Sequence, residues 1–469
     1  MKEMLLKKLA QVLCAEAESV IEGLVTGITT DSRTTQPGDC FFAIGGENFD
    51  GHDYVTKAFD KGAICAVVQR DIPGVPGPLL KVPDTIKALG QLAHWYRRDI
   101  NFKIIAVTGS VGKTTTRKII AHVLAAYFPV FEAPKNFNNE IGLPLTLLAA
   151  EPQHKTVVAE IGSNHPGEIE YLAKIAEPDI ALITNVYQAH LAGFNDIQAI
   201  VREKSSISLG LRKNGLMIVN GRFESLNICR RSNMEFTTFG HCDKCDIKPE
   251  NITYTESGST FTIDSSPLEL PLPGPGNIEN ALAAWAVCKH LGLTIENFAE
   301  AIRTLKPVPM RAHLRKIGTL TVIDDCYNAN PASMKNALHI LTHLAKDRAN
   351  CRLVFICGDM AELGDQTIRL HTELGKGIAD ANVQLLLTVG KAAKLAAEAA
   401  QELARKNLSI KTFDNAADAC NNLKEFIRNY DIVLVKGSRS AALETVVEKL
   451  YQLFEPCADA NSQDVRDNK

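Results

Sequence analysis

Residues 104–116 read Ile104-Ile-Ala-Val-Thr-Gly-Ser-Val-Gly-Lys-Thr-Thr-Thr116, and they join an apolar run to a glycine-rich turn. The apolar residues 104–107 predict a buried parallel strand, because they form a short run with no polar face. Apolar residues then recur at helical spacing over residues 117–127, which predicts a helix directly after the turn. A strand, a glycine-rich turn and a helix in this order are typical of a phosphate-binding loop.

The turn carries the residue types that such a loop uses. Gly109 and Gly112 allow close approach of the backbone, Lys113 reaches the β- and γ-phosphates, and Thr114 offers a hydroxyl to Mg²⁺. Val107 stands where the longer form of the motif has its first glycine, so the motif here is the short form. A plain glycine turn with a surface lysine is the disfavoured alternative in this context. The predicted ATP-binding residues of the turn are Gly109, Ser110, Gly112, Lys113, Thr114 and Thr115.

Length, composition and charge limit the classes of protein to which the chain can belong. The 469 residues exceed one ordinary core and predict about three domains. With 45% hydrophobic and 22% charged residues and a net charge of −3, the chain gives no electrostatic reason to expect nucleic acid or membrane partners. Its N-terminus resembles no signal peptide. The twelve cysteines are scattered as reduced core thiols would be, so we expect a cytoplasmic enzyme.

Alternation of strand and helix patterns predicts an α/β fold with three domains. Residues 1–100 predict a small N-terminal α/β domain, and residues 101–307 a central doubly wound parallel sheet with the phosphate loop. Residues 308–469 predict a C-terminal Rossmann-like α/β domain. Short alternating segments between residues 236 and 273 predict an antiparallel extension, and residues 281–291 a helix.

Polar residues that end buried strands are candidates for the site, because ligands gather at the carboxyl ends of parallel strands. Glu160 ends one apolar run and is predicted to bind a metal near the phosphate loop. His190 follows the next such run, and for it a ligand and a structural role are equally supported. Lys204 lies on a helix of mixed charge, which by itself favours a solvated lysine.

Other candidates lie in the second half of the chain. Asp324 and Asp325 close a strand, where they could bind ribose hydroxyls or a metal, or cap the helix before Pro331. Residues 436–440, Lys-Gly-Ser-Arg-Ser, resemble an anion-binding turn, with a basic helix entrance as the alternative. Cys242-Asp-Lys-Cys245 is a single CxxC, for which a surface turn is favoured over a zinc or redox site.

Several spaced motifs together resemble the Mur ligases, which form amide bonds with ATP. The motifs are Thr108-Gly-Ser-Val-Gly-Lys-Thr114, Asn138-Asn-Glu-Ile-Gly142, Glu160-Ile-Gly162, Ala189-His-Leu191, Asn277-Ile-Glu-Asn280 and Arg311. Three segments resemble the branch of the family that adds D-alanyl-D-alanine. They are Asp324-Asp-Cys-Tyr-Asn-Ala-Asn-Pro331, Gly358-Asp-Met-Ala-Glu-Leu-Gly364 and Val435-Lys-Gly-Ser-Arg-Ser440.

The resemblance implies an activity and its partners. The enzyme would join D-Ala-D-Ala to UDP-MurNAc-tripeptide with ATP and two Mg²⁺ ions, through an acyl phosphate. The N-terminal domain would bind the UDP-sugar end of the substrate, and the C-terminal domain the incoming D-Ala-D-Ala. We expect it to work as a monomer.

The resemblance also implies roles for single residues. Thr114 and Glu160 would bind one Mg²⁺ and His190 a second, and Lys204 would be carbamylated by CO₂ and become a metal ligand. Further contacts follow by the same likeness: Asn277 with adenine, Asp325 with ribose, Arg311 with the phosphates, Asp31, Ser32, Arg33, Gly46 and Glu47 with the UDP end, and Asn138 and Asn139 with the peptide.

Rival functions lack their own signatures. The sister ligase that adds the third amino acid carries an Asp-Asn-Pro-Arg motif, and a GTPase switch carries Asn-Lys-x-Asp; this sequence has neither. Folylpolyglutamate synthetase shares the phosphate loop, but the motifs at Asp31 and Asp324 argue against it. One position departs from the family: Gly276 stands where a histidine is common.

Overall fold

The computed structural model describes residues 1–16, 22–46, 49–134, 136–189, 191–232, 234–255, 258–346, 348, 351–403 and 407–455. The chain divides into two compact units. The first is formed by Met1–Val186, Val201–Ile247 and Ala283–Thr294, and the second by Tyr187–Ile200, Lys248–Leu282 and Ile295–Lys469.

The first unit contains fourteen strands among the described residues. They are β1 Met4–Leu5, β2 Leu24–Val25, β3 Gly27–Thr29, β4 Asp39–Phe42, β5 Gly45–Gly46, β6 Phe49–Asp50, β7 Cys65–Val68, β8 Leu79–Lys81, β9 Lys103–Thr108, β10 Val130–Glu132, β11 Thr156–Glu160, β12 Ile180–Ile183, β13 Leu216–Asn220 and β14 Glu235–Phe239. Its helices are α1 Leu6–Leu13, α2 Val55–Asp60, α3 Thr85–Ile100, α4 Lys113–Ala125, α5 Gly142–Ala149 and α6 Glu168–Ala176. The chain passes between the two units within α7 Ile197–Ser205 and α8 Pro275–His290.

A six-stranded sheet in the order β10-β11-β9-β12-β13-β14 organises the first unit, and all of its pairs are parallel. Strands β11, β12 and β13 are buried along their whole length, as expected for a parallel sheet covered on both faces. Ile104 and Ala106 pack into a core with side chains of α3, α5 and α6. Because the strands are parallel, Thr108, Glu160 and the residues after β12 meet at one edge of the sheet.

A four-stranded parallel sheet in the order β3-β4-β7-β8 is built from residues 27–81 of the same unit. Two short antiparallel pairs, β1 with β2 and β5 with β6, complete the strands of this part. The helix α3 that follows is capped by Asp84, whose carboxylate accepts hydrogen bonds from the backbone N–H groups of Ile86 and Lys87.

The second unit contains two sheets. Its strands are β15 Glu250–Tyr254, β16 Ser259–Ile263, β17 Ser266–Leu270, β18 His313–Ile317, β19 Leu320–Asp324, β20 Leu353–Gly358, β21 Leu385–Val389, β22 Ser409–Phe413 and β23 Ile432–Lys436. Its helices are α9 Ile295–Ile302, α10 Pro331–Ala345, α11 Thr367–Asp380, α12 Ala393–Leu403, α13 Ala416–Phe426 and α14 Glu444–Phe454. Strands β15–β17 form an antiparallel sheet, and the others form a sheet in the order β18-β19-β23-β20-β21-β22, parallel except for the β18–β19 pair.

The predicted α/β class and the antiparallel extension are confirmed. The predicted start of the helix at residue 281 is wrong, because α8 begins at Pro275. Proline suits the first turn of a helix, so the glycine–proline–glycine stretch opens the helix itself. The predicted domain boundaries at residues 100 and 307 stay a prediction. Among the described residues, no helix has the length and apolar character needed to cross a membrane.

Candidate active site

The glycine turn follows β9, a central strand of the six-stranded sheet, and leads directly into α4. Gly109 and Gly112 have φ of +141° and +86°, values that side chains rarely adopt. A Cβ added to Gly109 would lie 2.0 Å from Thr184 Oγ1. The turn therefore needs glycine for both conformation and space, and it leaves the N-terminal N–H groups of α4 at the end of the sheet.

Two polar residues after β12 hold this turn in place. Asn185 accepts a hydrogen bond from the Val111 N–H at 2.9 Å and a second from the Ser110 N–H, through its own carbonyl, at 3.1 Å. The Thr184 hydroxyl donates to the Val111 carbonyl at 2.6 Å, and the Asn185 amide donates to the same carbonyl at 3.0 Å. The shape of the turn is thus fixed by the neighbouring strand. The sequence shows these two residues only as polar residues ending an apolar run.

Lys113 lies over the turn that precedes it. Its ammonium donates a hydrogen bond to the Gly109 carbonyl at 2.8 Å. The side chain therefore stays beside the N-terminus of α4, where a polyphosphate would bind.

The carboxylate of Glu160 lies beside the hydroxyl of Thr114 at the carboxyl edge of the sheet. Thr114 Oγ1 donates to Glu160 Oε2 and the Asn138 side-chain amide donates to Oε1, both at 2.9 Å. Glu160 is 2% exposed, and Arg117 lies 3.8 Å from its carboxylate. A hydroxyl and a carboxylate in contact are hard oxygen donors next to a phosphate loop, so these residues fit a magnesium ion. Asn139 uses its side chain to accept from the Gly142 N–H at the start of α5.

Lys204 is buried, contrary to the solvated side chain that its helix pattern favours. It is 2% exposed, and its ammonium donates to the Ser163 hydroxyl at 2.8 Å. Burial, together with the charge of Lys113, lowers the pKa of this ammonium to about 7 against the attraction of nearby glutamates. A large share of Lys204 is therefore a neutral amine near pH 7.

Two predicted site residues, His190 and Glu47, lie outside the described residues, and their roles stay predictions. Gly46 is exposed at the end of β5. Thr115 lies in the first turn of α4.

The side chains of Asp31 and Arg33 form an ion pair in the loop after β3, and Ser32 between them is buried. The Arg33 guanidinium donates through Nε and Nη2 to the Asp31 carboxylate at 2.9 and 2.7 Å. This hydrogen bonding lowers the pKa of Asp31 to about 2. The carboxylate is therefore charged at neutral pH and orients the exposed guanidinium.

In the second unit, Asp325 is held by Lys436 from the neighbouring strand β23. Lys436 Nζ lies 2.7 Å from Asp325 Oδ2, and Asp325 Oδ1 accepts from the Ala312 N–H at 3.0 Å. The ammonium also donates to the Asn328 carbonyl at 2.9 Å, and its side chain is 1% exposed. Lys436 is thus an internal partner of Asp325.

The two aspartates that the sequence pairs have different partners. Asp324 lies 3.3 Å from Arg315 and accepts from the Cys326 thiol. The helix α10 is capped by Asn330, whose side chain accepts from the Ser333 N–H at 2.9 Å. Helix capping therefore falls to Asn330, and a ribose or metal role for Asp324 and Asp325 stays a prediction.

Arg311 and Asn277 also lie in the second unit. The Arg311 guanidinium lies 4.1 Å from the centre of the Tyr327 ring, a cation–π contact that orients it. Asn277 lies in the first turns of α8, where its amide donates to the Pro273 carbonyl at 2.8 Å.

Comparison with protein-family models gives three consecutive matches. "Mur ligase family, catalytic domain" matches residues 24–97, "Mur ligase middle domain" residues 107–288, and "Mur ligase, glutamate ligase domain" residues 310–439. UDP-N-acetylmuramoyl-tripeptide–D-alanyl-D-alanine ligase of Haemophilus influenzae is 36% identical, over 94% of this chain and 97% of its own.

The chain belongs to the Mur ligase family.

Other Mur ligases are similar to this chain over almost its whole length. The ligase of the same name from Escherichia coli K12 is 34% identical over 95% of this chain and 98% of its own. A crystal structure of MurF from Acinetobacter baumannii is similar with a TM-score of 0.88 and 31% identity, over 96% of this chain and 99% of that one. MurF from Thermotoga maritima in complex with ADP has a TM-score of 0.80 and 26% identity, over 91% and 97%.

The structure gives a local reason for the glycine at position 276 of this Mur ligase. The Gly276 N–H donates to the Asn336 side-chain carbonyl at 3.2 Å, and an added Cβ would lie 3.0 Å from the same oxygen. Any larger residue here would require Asn336 to shift by a few tenths of an ångström, so the glycine fits the present position of Asn336.

Proposed function

We propose that the chain is an ATP-dependent ligase that joins D-alanyl-D-alanine to UDP-N-acetylmuramoyl-tripeptide and forms the pentapeptide used in peptidoglycan synthesis. One observation carries the proposal: Thr114 of the phosphate loop and Glu160 of the neighbouring strand are in contact at 2.9 Å, in a chain that matches ligases of this name over almost its full length. The similar structure with bound ADP supports use of ATP.

ATP would bind with its phosphates at the N-terminus of α4. The backbone of Gly109, Ser110, Gly112 and Thr115 would surround the phosphates, and Lys113 would neutralise charge on them. By the same resemblance, adenine would be contacted by Asn277, ribose by Asp325 and the phosphates by Arg311. The ion pair with Lys436 supports this role for Asp325, since it fixes the carboxylate before ribose binds.

Four side chains would hold the magnesium ions. Thr114 and Glu160 would hold one ion, and His190 with carbamylated Lys204 a second. When bound, magnesium offsets the negative charge of the transferred phosphoryl group. Asn138 would keep the Glu160 carboxylate oriented through the hydrogen bond that it already donates.

Carbamylation of Lys204 is supported by its surroundings. Only a neutral amine attacks CO₂, and burial brings the pKa of Lys204 to about 7. The product would be a carboxylate-like oxygen donor in place of a buried cation. Ser163, which accepts from the lysine now, has a hydroxyl that can donate to the carbamate instead.

The chemistry would proceed in two stages. The tripeptide carboxylate is a poor acylating agent, so it is first converted to an acyl phosphate, with release of ADP. The amine of D-Ala-D-Ala then attacks the acyl carbon and phosphate leaves. Because an acyl phosphate hydrolyses in water, a C-terminal domain that excludes water during the reaction would protect it.

Substrates would be shared among the three proposed domains. Residues 1–100 would bind the UDP end through Asp31, Ser32, Arg33, Gly46 and Glu47. Residues 101–307 would bind ATP and, through Asn138 and Asn139, the peptide. Residues 308–469 would bind D-Ala-D-Ala. We propose that the enzyme acts as a monomer in the cytoplasm, where ATP and sugar nucleotides are made.

The test is phosphate and ADP release by the purified full chain with ATP, magnesium and bicarbonate. We expect release only when UDP-MurNAc-tripeptide and D-Ala-D-Ala are both present. Release with UDP-MurNAc-dipeptide and a single amino acid would indicate the sister ligase, and release without either substrate a nucleotide hydrolase. Tripeptides ending in lysine and in diaminopimelate, assayed side by side, identify the preferred acceptor.

The carbamate has its own test. Lys204→Ala should lose at least about 100-fold in rate, because it removes a group that stabilises transition-state charge. A short-chain carboxylic acid in solution should restore part of the rate by occupying the vacated space. A loss that no carboxylic acid restores would assign Lys204 a structural role.

A further inference from the structure

Cys242 and Cys245 are joined in a tight turn that the ligase reaction does not use. The Cys245 N–H donates to the Cys242 carbonyl at 3.0 Å, and the two sulfurs are bonded. Their Cα atoms lie 5.6 Å apart, within the range of ordinary disulfides. The sequence favoured a plain surface turn here; the structure shows a turn that also brings two sulfurs together.

Hydrogen bonds on both sides make this turn rigid. The Gly240 N–H donates to the Ile247 carbonyl at 3.0 Å, and the Ile247 N–H donates back to the Thr238 carbonyl at 3.1 Å. Thr238 also donates from its N–H and its hydroxyl to the Asp246 carboxylate, at 2.8 and 2.7 Å. The two cysteines are therefore held together by the backbone around them, whether or not their sulfurs are bonded.

Both sulfurs pack against Gly221, directly after β13. A Cβ added there would lie 2.7 Å from Cys245 Sγ and 3.3 Å from Cys242 Sγ. The two cysteines differ in exposure: Cys242 is partly exposed, and Cys245 is 7% exposed. Cys242 is thus the more accessible residue of the pair, and Cys245 is shielded.

We infer that Cys242 and Cys245 form a redox-active pair, which exchanges between dithiol and disulfide with low-molecular-weight thiol compounds. A metal site is the competing role for a CxxC. No group of three or more histidine, cysteine, aspartate or glutamate side chains in the described part of the chain could hold an ion, and structural zinc sites use four ligands.

Oxidation follows thiol–disulfide exchange. The Cys242 thiolate attacks one sulfur of a small disulfide, whose S–S bond breaks and releases one thiol. The Cys245 thiolate then attacks Cys242 Sγ, forms the internal S–S bond and releases the second thiol. Two electrons and two protons pass from the protein to the small disulfide, and an excess of small thiol reverses both steps.

The experiment equilibrates the full chain in mixtures of reduced and oxidised glutathione, quenches with acid and labels thiols after denaturation. Labelled thiols should fall by two as the oxidised fraction rises and recover fully on reduction. The peptide that contains both cysteines should lose the mass of two hydrogen atoms. Loss of two thiols should persist in Cys14→Ser, which removes an exposed cysteine elsewhere.

Single variants test the assigned order of attack. Cys245→Ser should trap glutathione on Cys242, on the order of tenfold faster than Cys242→Ser traps it on the shielded Cys245. Equal rates would refute the order of attack and with it the proposal. An unchanged thiol count in wild type, a stable glutathione adduct there, or zinc that blocks labelling of both thiols under reductant would also overturn it. None of these measurements depends on ligase activity.

Discussion

Replacing Lys204 with methionine removes a buried ammonium and keeps a side chain of similar length. We expect the variant to lose ligase activity and yet to be more stable than the wild type near pH 7. The reason is that the folded protein holds this amine at a pKa of about 7, whereas its ordinary value is 10.5. The folded state binds the proton more weakly than the unfolded state, so the charged lysine opposes folding.

The magnitude follows from the two pKa values. Each unit of difference corresponds to about 1.4 kcal/mol, so the penalty at pH 7 is about 4 kcal/mol. Between pH 7 and 10.5 the unfolded state keeps a proton that the folded state has lost, so wild-type stability rises with pH in this window. The penalty falls to about 2 kcal/mol at pH 9. Methionine cannot donate to the Ser163 hydroxyl, and this lost hydrogen bond offsets about 1 kcal/mol of the gain at every pH.

The assay is urea unfolding in metal-free buffers purged of CO₂, followed by tryptophan fluorescence. Both tryptophans of the chain, Trp95 and Trp285, lie in the unit that contains Lys204. The stability advantage of Lys204→Met should shrink by about 2 kcal/mol from pH 7 to pH 9. The control Lys57→Met, at an exposed position of α2, should change the free energy of unfolding at neither pH. An advantage that is absent, or that does not vary with pH, would refute the buried-charge argument.

Three further predictions concern Glu160, Gly109 and Lys436. Glu160→Gln should lower the rate of phosphate release about 100-fold at limiting magnesium, with partial recovery at high magnesium, because one charged oxygen donor is lost; a rate that ignores magnesium would argue against a ligand role. Gly109→Ala should destabilise the first unit by about 2–5 kcal/mol, from positive-φ strain and steric overlap, whereas Gly167→Ala, at φ +92° with open space around it, should show strain alone, about 1–2 kcal/mol. Equal urea midpoints for the two glycine variants would show that steric overlap at position 109 does not contribute to the loss of stability. Lys436→Met should destabilise the second unit by about 3–5 kcal/mol, because it leaves the Asp325 carboxylate buried without its partner. Adding Asp325→Asn should recover much of this stability in calorimetry. If it does not, the loss has a cause other than the unpaired carboxylate.

The phosphate loop and Glu160 could be predicted from sequence because each depends on local order. A strand, a glycine turn and a helix are adjacent in the chain, and a carboxylate that ends a parallel strand must reach the same edge of the sheet. The neighbouring pairing of β9 and β11 then brings Thr114 and Glu160 into contact.

Other parts of the site depend on contacts between distant residues, which no local pattern encodes. The burial of Lys204 requires the loop at Ser163 to cover it, although its own helix has mixed charge. Thr184 closes on the phosphate loop from more than 70 residues away. Lys436 looked suited to an external anion, but its partner proved to be Asp325, which directly follows the adjacent strand β19.

Gly109 and Thr184 are distant in sequence but adjacent in space, so the residues that position 109 tolerates depend on the residue at position 184. The missing Cβ of the glycine and the hydroxyl of the threonine use the same space, 2.0 Å apart when the Cβ is added. A larger residue at position 109 therefore needs a smaller one at position 184, and it keeps the strain of φ +141° even then. Libraries that randomise position 109 alone should return almost only glycine, and libraries that randomise both positions should still favour glycine there, because a smaller residue at 184 relieves the overlap and not the strain.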